Sequence, residues 1–266
     1  MNILESAILG AVQGLTEFLP VSSSGHLQIA KALLGVEIEE NLAFDITLHA
    51  ATVLSTFVVL RSEIRSLFTG LFTRGFNEQK TYILKLIISM IPIGIVGFAC
   101  KDYIDMMLAS QHILAIVGVM LLITAALLAF ACYARTRSKQ TISYRDSFII
   151  GMAQAAAAMP GLSRSGTTIA TGLLLGNNRE AVAKFSFLMV LAPVIGEMLL
   201  DAVKGEAAFS SIGLAPMAAG FISAFVVGCL ACRFMIGLVK NGRLVWFALY
   251  CAAAGTASII FDIFLR

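Results

Sequence analysis

The chain has 266 residues, 59% of them hydrophobic and only 13% charged, with a mean hydropathy of +0.90 and a formal charge of +3. A soluble domain averages about 45–50% apolar and roughly 25% charged residues. A water-soluble globule is therefore excluded, no nucleic-acid partner is expected from so small a charge, and the predicted class is an all-α integral membrane protein forming one domain over 1–266.

A hydrocarbon core of about 30 Å takes roughly 20 apolar residues at 1.5 Å each. The chain opens with MNILESAILG, which has no basic region and no small-residue cleavage site after it, so this segment is expected to stay in the mature protein. Residues 3–34 are apolar but broken by Gln13, Glu17, Pro20, Ser22, Ser23, Ser24 and His26. That pattern predicts two short helices around an elbow, a re-entrant hairpin whose non-helical backbone is tolerated only where protein or water surrounds it. Spans are expected at about 42–60, 82–100 and 112–134, with His49 mid-span and His112 at a span end, both read as structural. Residues 147–176 repeat the interrupted pattern, broken by Pro160, Gly161, Ser163, Arg164, Ser165, Thr167 and Thr168, and predict a second hairpin. Spans at about 181–203, 213–237 and 244–264 complete a set of six; Glu197 is a stray acid in the first of these. Cys100, Cys132, Cys229, Cys232 and Cys251 are odd in number, lie in or beside apolar runs, and are expected to be small buried hydrophobes.

Six spans place loops 61–81, 135–180 and 238–243 on one side of the membrane. With the adjoining span ends, and leaving aside Arg164 within the second hairpin, that side carries fourteen Lys and Arg residues. The other side has Lys31, Lys101, Lys204 and Arg266, beside the acids Glu37, Glu39, Glu40, Asp102, Asp105 and Glu206. The positive-inside rule then puts both termini and the first hairpin outside, and the second hairpin on the cytoplasmic side.

A shift of 141 residues carries Gly10 onto Gly151, Gln13 onto Gln154, Ser22 onto Ser163, Ser24 onto Ser165, Gly25 onto Gly166 and Gly35 onto Gly176. Each half, roughly 1–134 and 141–266, is then one hairpin plus three spans. Three is odd, so the halves are expected to form an inverted repeat whose elbows meet near the midplane.

A half-helix is predicted to start behind each elbow, near Ser23 and near Arg164. Free N–H groups and the positive dipole end at such starts, with Ser22, Ser24, Ser163, Ser165 and Thr168, make an anion nest suited to phosphate. Helix capping alone would also explain the hydroxyls. Glu17 and Arg164 go further, because a charge at bilayer depth costs roughly 2.5–3.5 kcal/mol on insertion scales and needs a wet or paired site. Gln13 and Glu17 are four apart on one helical face and could hold Mg2+ or Ca2+ with water and substrate; Glu17 could equally pair with Arg164. His26 follows the serines closely enough to act as general acid or base or to activate a serine, and Arg164 is a natural phosphate clamp.

QGLTEFLPVSSSGH together with PGLSRSGTT resembles the undecaprenyl-diphosphate phosphatase family, in its BacA-type bacitracin-resistance branch, and the likeness runs over essentially the whole chain. The family's (E/Q)xxxE motif falls on Gln13 and Glu17, its PVSS(S/T)GH on Pro20 through His26, and its PGxSRSxxT on Pro160, Gly161, Ser163, Arg164, Ser165 and Thr168. The resemblance implies a bacterial inner-membrane enzyme with six spans and two re-entrant hairpins. It would release phosphate from undecaprenyl diphosphate and so recycle the lipid carrier of cell-wall synthesis at the outer face. It also implies a divalent cation near Glu17, phosphate binding by Arg164 and the serines, and either Ser23 or His26 in the chemical step. Gln13 in place of Glu leaves one carboxylate fewer for the metal. The expected partners are the polyprenyl diphosphate substrate and membrane lipid, and the reading allows a homodimer. The competing class is a lipid-phosphate transporter or flippase using the same midplane anion site, since broken helices in inverted repeats are also a carrier pattern. An intramembrane serine protease is disfavoured by the phosphate-like clamp of Arg164.

Overall fold

A computed structural model describes residues 1–36, 42–134, 139, 141–203 and 212–264. These form thirteen helices: α1 (Ile3–Phe18), α2 (Ser23–Leu34), α3 (Leu42–Val59), α4 (Arg61–Leu71), α5 (Glu78–Ala99), α6 (Lys101–Leu108), α7 (Ile113–Cys132), α8 (Tyr144–Ala156), α9 (Arg164–Leu174), α10 (Arg179–Met189), α11 (Leu191–Val203), α12 (Leu214–Lys240) and α13 (Val245–Phe264). Five stretches are long and apolar enough to cross a membrane: α5, α7, α10 with α11, α12 and α13. The pair α3 and α4 makes a sixth only if its 77° bend is counted within one span. The chain is thus an all-helical membrane protein. Its outward side chains, among them Ile87, Ile91, Ile95, Ile123, Phe130, Ile222, Leu230 and Phe234, are those that lipid tolerates.

Local chemistry sets the helix ends near both elbows. Asn2 caps α1 in a capping box with Glu5. The helix stops before Pro20, with Leu19 in extended conformation as a residue preceding proline prefers. Ser22 caps α2 and Ser163 caps α9, each accepting from the N–H of a glycine, Gly25 and Gly166. Gly35 and Gly176 lie in the left-handed region just beyond those two helices.

Small residues bring the long helices together, as expected where lipid supplies no hydrophobic drive between them. α1 lies on α12 with Gly10 against the Gly220 backbone and Gly14 against Ala224 and Gly228. α8 lies on α5 with Gly151 against the Ser89 backbone. α7 and α13 cross where Gly118 and Gly255 face each other.

The structure amends several expectations. Residues 61–71 are helix, not loop, because Arg61, Glu63 and Arg65 share α4 with a nonpolar face that exposes Phe68 and Leu71. The span expected at 181–203 is two helices meeting at Val190. Lys31, counted among the outer-side cations, is 1% exposed and pairs with Asp45 at 2.7 Å, tying α2 to α3. His112 contacts Asp262 at 3.1 Å, in keeping with a structural role. Cys232 and Cys251 are buried, whereas Cys100 is exposed because it ends α5 at a helix terminus. The expected loop charges Glu37, Glu39, Glu40, Arg135, Arg137, Lys204, Glu206 and Arg266, and the side chains of Lys101, Asp105 and Glu197, lie outside the described residues.

Candidate active site

The last two turns of α1 place Gln13 and Glu17 on one face, and the elbow then folds α2 back so that its first residue reaches them. Ser23 Oγ donates to Glu17 Oε2 at 2.7 Å, and Gln13 Nε2 donates to the same oxygen at 3.0 Å. Arg164, the first residue of α9, donates from Nη2 to Glu17 Oε1 at 3.2 Å. The side chains of Glu17 and Arg164 are 10% and 27% exposed, so the pair meets in low dielectric, where its attraction is strong. Two elbows 147 residues apart in sequence therefore share one carboxylate.

The elbows are also fastened directly. Ser165 Oγ donates to the Leu19 carbonyl at 3.0 Å, and the Ser163 N–H donates to Thr124 Oγ1 at 3.1 Å. The flanking hydroxyls form matching pairs, Ser22 with Ser24 at 3.3 Å and Ser163 with Ser165 at 3.4 Å. Ser22, at φ 71°, is the one non-glycine residue with positive φ among the described residues. Such strain costs of order 1–3 kcal/mol and gathers at functional sites.

Several of the expected phosphate ligands are hydrogen-bonded within the protein. Ser22 and Ser163 are buried and spend their hydroxyls on capping. Thr168 turns its hydroxyl back onto the Arg164 and Ser165 carbonyls. Ser165 is committed to Leu19. For Ser22 and Ser163 the reason is that a helix start at this depth must satisfy its own N–H groups; Thr168 and Ser165 instead donate to carbonyls, of α9 itself and of the other elbow. Ser24 is exposed and Ser23 half-buried, which leaves them the accessible hydroxyls of the first elbow.

His26 does not meet the serine hydroxyls. Its Nδ1 lies 2.9 Å from the Ser22 carbonyl and its Nε2 2.6 Å from the Tyr250 hydroxyl, with the two rings stacked at 5.5 Å. A carbonyl only accepts, so Nδ1 carries the proton and Nε2 accepts from Tyr250. Ser23 and His26 sit one turn apart on α2, yet Ser23 is engaged by Glu17 and His26 by α13.

Two participants were not anticipated. Tyr250 is one, since nothing in the sequence says that α13 faces α2. The other is His49, expected to be structural, whose Nδ1 lies 3.3 Å from Gln13 Nε2. A signal existed for it: Asp45, His49, Thr52 and Thr56 recur at helical spacing along one face of an otherwise apolar helix. Thr52 and Thr56 line a narrow cleft with Glu17, Arg164, Ser165 and Ser186. It has room for about 20 Å3, enough for an ordered water.

Among the described residues no group of three or more His, Cys, Asp or Glu side chains could hold a metal. The donor set nevertheless suits a hard cation if amide oxygen is counted, because Gln13 Oε1 is buried without a hydrogen-bond partner beside Glu17.

Comparison with known proteins places the whole chain. A family described as bacitracin resistance protein BacA matches residues 6–257. The chain is similar to an undecaprenyl-diphosphatase of Parabacteroides distasonis, 58% identical over 97% of this chain and 98% of that one. It is also similar to an undecaprenyl-diphosphatase of Bacteroides thetaiotaomicron, 57% identical over 98% and 99%. An undecaprenyl-diphosphatase 1 of Bacillus cereus is 35% identical over 97% of both chains.

Proposed function

The chain belongs to the bacitracin resistance protein BacA family, and from that premise we propose how its site works as an undecaprenyl-diphosphate phosphatase. The enzyme hydrolyses undecaprenyl diphosphate to undecaprenyl phosphate and inorganic phosphate, the activity its relatives are named for. The observation that carries the site assignment is the Ser23–Glu17–Arg164 contact, in which a hydroxyl and a guanidinium from opposite hairpins occupy the two oxygens of one buried carboxylate.

Ser23 is the nucleophile in this reading and Glu17 its base. The Ser23 Oγ–H proton passes to Glu17 as Oγ attacks the terminal phosphorus. The P–O bond to undecaprenyl phosphate breaks, and a phosphoserine is left for water to hydrolyse. Arg164 exchanges Glu17 for the phosphoryl oxygens; a guanidinium carries five N–H donors and can bridge both. Its charge and the N–H groups at the α9 start favour the spread of negative charge in the transition state, where most phosphoryl-transfer catalysis resides. Gln13 holds Glu17 in line. A bound Mg2+ or Ca2+ at Gln13 and Glu17 would supply Lewis-acid neutralisation of the diphosphate.

We assign the two hairpins as re-entrant and the halves as an inverted repeat. The support is pairwise: matched caps at Ser22 and Ser163, left-handed Gly35 and Gly176, and α1 on α12 beside α8 on α5 through the matched Gly10 and Gly151. Orientation by positive charge then opens the site outward in a bacterial inner membrane, with the prenyl tail left in lipid.

Phosphate release from undecaprenyl diphosphate by the purified protein in detergent tests this reading. Ser23→Ala and Arg164→Ala should each lose at least about 10²–10³ in kcat, and EDTA should abolish release until Mg2+ or Ca2+ is restored. Release that survives both substitutions would move the chemistry elsewhere. A well-folded wild type that releases nothing but moves lipid phosphate across vesicles would favour a carrier.

A further inference from the structure

Gln13, Glu17 and His49 converge at the buried end of the site. The Gln13 amide nitrogen lies 3.0 Å from Glu17 Oε2 and 3.3 Å from His49 Nδ1, and Gln13 itself is 1% exposed. Its Oε1 has no hydrogen-bond partner, an uncommon state for a buried polar atom. A half-turn of the amide exchanges its oxygen and nitrogen; the oxygen loses no hydrogen bond, and the Nε2 contacts with Glu17 and His49 give way to shared ligation of the cation. A carboxylate oxygen, an amide oxygen and an imidazole nitrogen would then face one point. Their spacing fits an ion: neighbouring ligands on an octahedral cation with bonds of about 2.0–2.1 Å lie about 3 Å apart.

Resting on the phosphatase reading of this site, we propose that His49 is a ligand of its divalent cation, completing with Gln13 and Glu17 a set of one nitrogen and two oxygens. The nitrogen also sets ion choice. Mg2+ and Ca2+ prefer all-oxygen sites, while imidazole raises affinity along the transition series. Mn2+ accepts both ligand types, so the site prefers Mn2+ to Mg2+. Hydrogen bonding alone, with His49 a neutral strut for Gln13, is the competing account, and under it any Mn2+ preference is the same with or without the imidazole.

The experiment is direct Mn2+ and Mg2+ binding to the purified, metal-stripped full chain in detergent, by calorimetry and by Mn2+ electron paramagnetic resonance. Wild type should bind one Mn2+ more tightly than Mg2+. His49→Ala should weaken Mn2+ binding by at least about tenfold, in the range typical of metal-site lesions. His49→Gln keeps a hydrogen-bond partner for Gln13 but offers oxygen for nitrogen. It should fold with an unchanged thermal transition and lose most of the Mn2+ preference. The proposal is overturned if wild type shows no saturable Mn2+ binding, or if the Mn2+ preference survives in His49→Gln. Phosphate release from undecaprenyl diphosphate is measured in parallel. A wild type that binds Mn2+ through His49 but releases no phosphate sinks the phosphatase reading and leaves the cation site standing. Release with metal binding indifferent to residue 49 does the reverse.

Discussion

Glu17 accepts from Ser23 and Gln13 on one oxygen and from Arg164 on the other, so its position is over-determined before any substrate arrives. His26 is held as firmly, but by a different neighbour. With Nδ1–H on the Ser22 carbonyl, its Nε2 lone pair is presented to Tyr250. If His26 takes part in the reaction, Tyr250 is the residue that positions it. Tyr250→Phe should then lower kcat by about tenfold, less than the ~10²–10⁴ that a general acid or base supplies outright, and should displace the pH–rate profile. An unchanged kcat and profile with a lower melting temperature would make the histidine a strut between α2 and α13. The charged half of this site was legible in the sequence, since Glu17 and Arg164 stand out in apolar runs where an unpaired charge is costly. So were Gln13 and Ser23 beside them, but His49 and Tyr250 were not. A single histidine mid-span is ordinary, and no local pattern tells which distant helix will offer a hydroxyl.

Helices in this chain are cut by short-range chemistry and joined by small residues. The elbows were legible because proline and serine act on the adjacent backbone. The helix at 61–71 was hidden by its charged residues, which read as loop although Ile64, Leu67, Phe68 and Leu71 recur at helical spacing between them. The joins depend on glycine. At the α7–α13 crossing, a Cβ on Gly118 would lie 2.6 Å from the Gly255 carbonyl oxygen and 2.6 Å from Ile259 Cγ1. A backbone oxygen cannot rotate away as a side chain can, so the helices must separate. Gly118→Ala should therefore destabilise the protein by roughly 1–3 kcal/mol, the usual cost of overpacking, and lower the detergent-solubilised melting temperature. Gly97 has open space around its would-be Cβ. Gly97→Ala is the control, and it should melt at or above the wild-type temperature because alanine favours the helix. Equal melting of the two variants would mean that α7 and α13 do not approach this closely in the folded protein.

At the scale of the molecule, the match of residues 141 apart was legible in the sequence, but the packing of α1 on α12 and of α8 on α5 was not, because a linear match does not say which helices touch. Pairing α1 with α12 and α8 with α5 interleaves the halves, so neither hairpin is held by its own half alone. That interleaving brings Arg164 to Glu17, and it leaves sidedness as the remaining determinant of which face the substrate approaches. If each hairpin returns to the side it left, only α3, α5, α7, α10 with α11, α12 and α13 cross. Arg74, between α4 and α5, and Gln111, between α6 and α7, are exposed and flank a single crossing. In a background with the five native cysteines replaced, Gln111→Cys should react with a membrane-impermeant maleimide on intact cells, and Arg74→Cys only after permeabilisation. Epitopes at both termini should be accessible from outside. An N-terminal epitope on the same side as Arg74 would mean that the first hairpin spans, because α3 would then be the second crossing between them. A C-terminal epitope inside would say the same of the second hairpin. Either result would carry the two elbows through the bilayer in one direction, removing the geometry by which helix starts from opposite faces confront one phosphate.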